Sequence, residues 1–274
     1  MSDKTYRATK LRLADLPGTV RVVPGRRSRE MVLTLTGPQK QLDEIRHGVN
    51  GDTLVVSGPA RGRGGVNITM SGRGGVTSIS NMSASGMVVF GNGVHISGAN
   101  GPIVVNGNVI TPGGGTEGYQ EITVTVEVPV HTSVAVDDSV GGTYVIGDTL
   151  GTLDLRLKAH SQVQAGQVAE TRIDITGSGD VQIGSITGKA AELSITGSGD
   201  VRIAHGQVER FDAGISGSGS VAFAGTAGDA NLSISGSGNM RLDTVTRHLA
   251  DRVSGSGRID VRVRPQRSSG SFWS

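Results

Sequence analysis

The sequence predicts an all-β fold, a repeat-built β-solenoid (β-helix) of about 19–20 residues per coil with a small β-rich N-terminal cap. Three observations predict it. The triplet Gly-Ser-Gly recurs at 177–179, 197–199, 217–219, 236–238 and 255–257, with spacings of 20, 20, 19 and 19. Apolar and polar residues alternate on both sides of each triplet. Glycine supplies 44 of the 274 residues, against a usual ~7 %, while aromatics number eight (four Phe, three Tyr, one Trp), so the interior is left to Val, Ile, Leu, Met and Ala.

The alternation is specific. Four and two residues before the triplets stand Ile173 and Ile175, Leu193 and Ile195, Ala213 and Ile215, Leu232 and Ile234, and Asp251 and Val253. Two and four residues after them stand Val181 and Ile183, Val201 and Ile203, Val221 and Phe223, Met240 and Leu242, and Ile259 and Val261. Asp251 is the one polar residue among these twenty positions. Period two on each side of a turn means strand, turn, strand with one face inward. Glycine lets the turn visit positive φ. Tandem units that each bury an apolar edge against the next point to stacked coils rather than separate hairpins.

Four segments follow in order. Residues 1–57 read as the cap, with strands over Thr19–Val23, Met31–Thr36 and Thr53–Ser57 and a short helix over Pro38–Ile45, whose proline stands near its start. It is expected to cover the first coil, because an open end exposes unpaired backbone. Residues 58–118 are glycine-rich and short-stranded, with apolar clusters such as Val88-Val89 and Val104-Val105 split by Gly-Asn turns. They read as further short solenoid-like turns, and 111–118 as a linker. Residues 119–265 are the solenoid proper, about seven coils from roughly 134 to 263, with Leu155, Leu157, Val163 and Ala165 in the repeat phase and Tyr144 and Ile146 nineteen residues ahead of the last two. Residues 266–274 read as a flexible tail.

The formal charge of +2 is near balance and gives no ground for nucleic-acid binding. Cysteine is absent, which excludes disulfides and thiolate metal sites. No apolar run approaches the length of a membrane span. The segment Met1–Leu13 has no apolar core of a signal peptide, so the direct reading of location is cytoplasmic.

Longer stretches carry a resemblance. LPGTVRVVPG (16–25), VLTLTGPQKQLDEI (32–45) and GDTLVVSG (51–58) resemble the opening of the bacterial "putative auto-transporter adhesin, head GIN domain" family. ITVTVEVPVHTSVAVDDSVGGTYVIGD (122–148), followed by tandem TGSGDV and SGSGSV units, is similar to its C-terminal part. The resemblance covers nearly the whole chain. It implies a β-solenoid and a role in attachment at the cell surface or outside the cell. It brings no catalytic residues to carry over.

The chemistry is sparse. Asp180 and Asp200 each follow a triplet, would stack one strand spacing apart, and are the calcium candidates. The ladder then breaks at Ser220, Asn239 and Arg258, so turn-forming polar residues are the preferred reading and no metal or other cofactor is expected. Asp174, Asp180, Glu192 and Asp200 are the local carboxylates that a carbohydrate-active β-helix enzyme would draw on, but they fall on outward strand positions and sugar-stacking aromatics are scarce. No catalytic residue is assigned. GxGxxG fits at 217–222 alone, with no helix after it. Arg258, Arg262 and Arg264 make a basic outward edge on the last strand, suited to an acidic partner or to blocking end-to-end stacking. Phe272 and Trp273 stand in a small, polar run and would anchor to a neighbouring copy or a partner. The sequence therefore predicts a non-enzymatic scaffold for attachment or self-assembly, with a homo-oligomer or a surface or protein partner; a polymerising cytoskeletal or virion-type protein and a carbohydrate-active enzyme are the alternatives.

Overall fold

The computed structural model describes residues 2–25, 30–59, 77–80, 87–89, 94–97, 103–105, 108–110 and 122–265, and the chain forms two compact units, Met1–Pro59 with Glu121–Ser274 and Ala60–Gln120. The larger unit is a β-solenoid of about seven turns. Each repeat coil runs up one face before its triplet, turns, and runs down a second face after it, pairing in parallel with the coil above and below. Ile175, Ile195, Ile215, Ile234 and Val253 pair in register, as do Val181, Val201, Val221, Met240 and Ile259. The first four of the isoleucine column are buried. The coil takes up bulk locally: Phe211 and Phe223, on the two faces of one coil either side of its triplet, stack with centroids 4.9 Å apart and planes 4° apart.

The triplet glycines do more than turn the chain. Gly177, Gly197, Gly217, Gly236 and Gly255 all have positive φ, as expected of the turn. They also stack on one another so closely that a Cβ on Gly217 would lie 2.3 Å from the Gly197 carbonyl oxygen, and one on Gly236 2.5 Å from that of Gly217. The contact between coils here is backbone on backbone, with Ser198 N donating to Gly177 O and Ser218 N to Gly197 O, both at 2.9 Å.

The N-terminal block contributes coils of its own. Strands Lys10–Ala14 and Thr19–Pro24 form a coil whose first strand lies between Thr53–Ser57 and Ser133–Asp138, and whose second lies between Thr123–Val128 and Thr143–Ile146. Both pairings are parallel on each side. A coil from the start of the chain is therefore interleaved between two coils made later. In sequence, residues 60–120 stand between Thr53–Ser57 and Thr123–Val128.

Beyond this coil the strands reverse. Met31–Thr36 and Ser2–Tyr6 continue one face antiparallel, and Arg46–Asn50 ends the other. The helix is one turn, Gln39–Leu42, shorter than the Pro38–Ile45 expected, and Pro38 is its N-cap. Ile45 is buried and Leu42 packs against the core, so this segment covers the apolar interior at the N-terminal end. The two outermost strands are tied by Tyr6, whose hydroxyl lies 2.6 Å from His47 Nδ1, with Lys4 Nζ 3.0 Å from Nε2. An ammonium donates, so Nε2 accepts and His47 is neutral. Burial, then the Lys4 charge, hold its pKa below the ordinary value.

In the smaller unit, Ile103–Val105 pairs in parallel with Met87–Val89 and antiparallel with Asn108–Ile110, and Thr77–Ser80 pairs in parallel with Val94–Ser97. Among the described residues no helix is long and apolar enough to cross a membrane.

Candidate functional site

The surface most clearly built by the repeat is the turn edge. The residue before each triplet is Thr176, Thr196, Ser216, Ser235 or Ser254, and these five pair in register on successive coils. All five are exposed, and none has a side-chain hydrogen bond to another described residue. Parallel in-register strands repeat at ~4.8 Å, so the edge carries a straight row of hydroxyls at that interval. The triplet serines 198, 218, 237 and 256 form a second exposed row beside it. The signal was in the sequence: a hydroxyl residue precedes every triplet, in the phase opposite to the apolar column.

A third row follows the triplets, and here Asp180 and Asp200 pair in register. Asp200 is already engaged. Its Oδ1 accepts hydrogen bonds from Ser220 N at 3.0 Å and from Ser220 Oγ, on the next coil. Among the described residues no group of three or more His, Cys, Asp or Glu side chains is placed to hold a metal ion. The same use of a carboxylate recurs along this edge. Asp15 Oδ1 accepts from Ser139 N and Oγ at 2.8 and 2.7 Å. Asp138 is buried and accepts from Val140 N, Gly141 N, Gly142 N and, at 2.6 Å, from Ser161 Oγ of the next coil. Tyr144 is buried close by, and burial, then the Asp138 charge, hold its pKa above the ordinary value.

The arginines of the last strand divide. Arg262 pairs with Asp243 at 3.5 Å and Arg264 with Asp251 at 3.0 Å. Arg258 has no carboxylate partner among the described residues. Phe272 and Trp273 lie outside the described residues. Of the other carboxylates read as a possible catalytic group, Glu192 pairs with Arg172 at 3.4 Å, and Asp174 and Asp180 are exposed. The grooves on this surface are shallow and open; one on the face before the triplets is lined by Arg172, Glu192, Ser194, Arg210, Asp212 and Ser233. The arrangement offers a long, neutral, hydrogen-bonding array on a rigid support.

Comparison with known proteins places this architecture. The family model described as "Putative auto-transporter adhesin, head GIN domain" matches residues 19–265. The structure is similar to that of a "putative adhesin" from Bacteroides fragilis, with 16% identity, a TM-score of 0.59, and 95% of this chain and 96% of that chain covered. It is also similar to a "putative adhesin" from Parabacteroides distasonis, with 14% identity, a TM-score of 0.52, and 95% and 96% covered. At these identities the likeness is one of fold. No match was found among curated proteins.

Proposed function

The chain belongs to the "putative auto-transporter adhesin, head GIN domain" family, and from that membership we propose that it is a non-enzymatic binding scaffold, adhesin-like, which attaches through the turn edge of its solenoid at the cell surface or outside the cell. The observation that carries this reading is the in-register row Thr176, Thr196, Ser216, Ser235 and Ser254. A hydroxyl both donates and accepts, so the matching ligand is neutral, repetitive and rich in groups that do the same. An extended polysaccharide has that chemistry. Each hydroxyl contributes little alone, since a net hydrogen bond is worth ~0.5–1.5 kcal/mol. Rungs engaged together by one polymer add without each incurring a separate association cost.

The test is retention of the purified chain on polysaccharide-coated surfaces. A variant carrying Thr176→Val, Thr196→Val, Ser216→Ala and Ser235→Ala removes four hydroxyls from exposed positions with little change of shape. It is expected to keep its melting temperature and to lose about tenfold or more in retention. Equal retention by the two proteins sinks the reading. Self-assembly is the second reading, favoured by the exposed Val253 and Val263 on the last coil; it requires a particle mass above that of one chain in light scattering.

A further inference from the structure

The two ends of the stack are unlike. At the N-terminal end Ile45 and Leu42 cover the interior. At the C-terminal end the last rung has no cover among the described residues: Val253 is 43% exposed although it stands in the buried isoleucine column, Val263 is 48% exposed, and Leu249 and Ile259 are only partly covered. Two inward positions have turned ionic. Asp251 pairs in register with Leu232, and Arg264 stands 19 residues after the buried Val245, yet the two bond to each other at 3.0 Å across the end of the core. Solenoids need an end cap with a polar outer face, and this rung is half of one.

We propose that the exposed surface around Val253 is the docking site for residues 266–274 of the same chain, with Phe272 seated over Val253. The register carries the assignment. The last spacings of the column, Ile215 to Ile234 to Val253, are 19 and 19, and the next step of 19 falls on Phe272. The same step places Gly270 over Asp251, where a missing side chain leaves room for the Asp251–Arg264 pair. Ser269 and Ser271 then fall on the outward phase, above Ala250 and Arg252, and give the cap its polar side. Length also fits. The preceding coil takes five residues from Thr244, the in-register partner of Val263, to Leu249, and five residues lead from Val263 to Ser268.

Charge argues against a second copy on this surface. Facing ends would bring Arg252 and Arg258, which have no carboxylate partner among the described residues, against the same two. The rung's carboxylates, Asp251 and Asp260, are already paired with Arg264 and Arg241. This inference goes beyond the adhesive reading, does not depend on it, and gives to the chain's own tail the surface that self-assembly through the last coil would use.

The chain's single Trp makes the test direct. In the doubly substituted chain Phe272→Trp, Trp273→Phe the indole sits on the inward phase; in the natural chain it sits on the outward one. The expected result is emission at shorter wavelength, and stronger protection from acrylamide, for Trp at 272 than for Trp at 273, unchanged on wide dilution. Adding Val253→Asp, at a position already exposed, should remove the protection while circular dichroism stays that of the folded chain. Emission from position 272 equal to that of the urea-unfolded chain overturns the proposal. So does protection that disappears on dilution together with a dimer's mass, which would make the occupant a second copy.

Discussion

The turn at 138–142 and the turns at the Gly-Ser-Gly triplets lie on one edge of one stack and are held by opposite means. At the triplets every large group has been removed. Gly197, Gly217 and Gly236 touch backbone to backbone, and the coils lock by amide-to-carbonyl bonds, with Ser198, Ser218 and Ser237 N each donating to the glycine carbonyl of the coil before. At 138–142 a charge has been placed inside. Asp138 pairs in register with Leu157, and so stands in line with the isoleucine column, where an unsatisfied carboxylate would be severely penalised. Four donors surround it, one of them the Ser161 hydroxyl of the next coil. The glycine turn is general and can be copied down the stack without new partners. The aspartate turn is specific, and each of its partners has to be in place.

This contrast orders the expected effects of substitution. Gly217→Ala should be the most damaging, because a Cβ would stand 2.3 Å from the Gly197 oxygen on a backbone at φ +136. Strain and overpacking together should cost about 4 kcal/mol in urea unfolding. A loss near that of an ordinary exposed Gly→Ala would show that the stack has slack there. Asp138→Ala should cost about 3 kcal/mol, since it leaves a hydroxyl and three amides without their acceptor. A stability equal to that of the parent would place the turn's strength in its glycines alone. Asp200→Ala should cost less than ~1 kcal/mol, because the groups it bonds are partly exposed and water replaces it. In thermal unfolding, chelator should leave the melting temperature unmoved; a drop restored by calcium would mean that Asp180 and Asp200 hold an ion and not a turn.

Much of the stack was legible because its information is local and periodic. Ile175, Ile195, Ile215 and Ile234 declare their column by alternation and spacing, and Tyr144 and Ile146 were placed in phase with Val163 and Ala165 the same way. Lys10–Ala14 alternates as well, but its partners are Thr53–Ser57 and Ser133–Asp138, and no local pattern names a neighbour more than a hundred residues away. The glycines announced a turn through their backbone freedom. Their contact with the next coil is a property of the stack and leaves no separate mark. Asp251 was visible as the exception in an apolar column, whereas its partner Arg264 looked like one more outward arginine of the last strand. Nothing in the sequence marks Asp138, because the donors that satisfy it come mostly from backbone. The hydroxyl row was present in every repeat; what gives it meaning is register, which puts five separate residues on one line.

The interleaved coil sets an order of events during synthesis. The place for Lys10–Pro24 has both walls only after the chain has been made through Ile146, so these strands leave the ribosome well before they can be enclosed. At ordinary translation speeds more than a hundred residues take roughly ten seconds. For that interval Leu11, Leu13, Val20 and Val22, all buried in the finished fold, have no completed groove to enter. Growth by adding coils one after another suits the C-terminal half. The N-terminal half instead closes around a guest that arrived early, and a neighbouring nascent copy would offer an equally fitting guest.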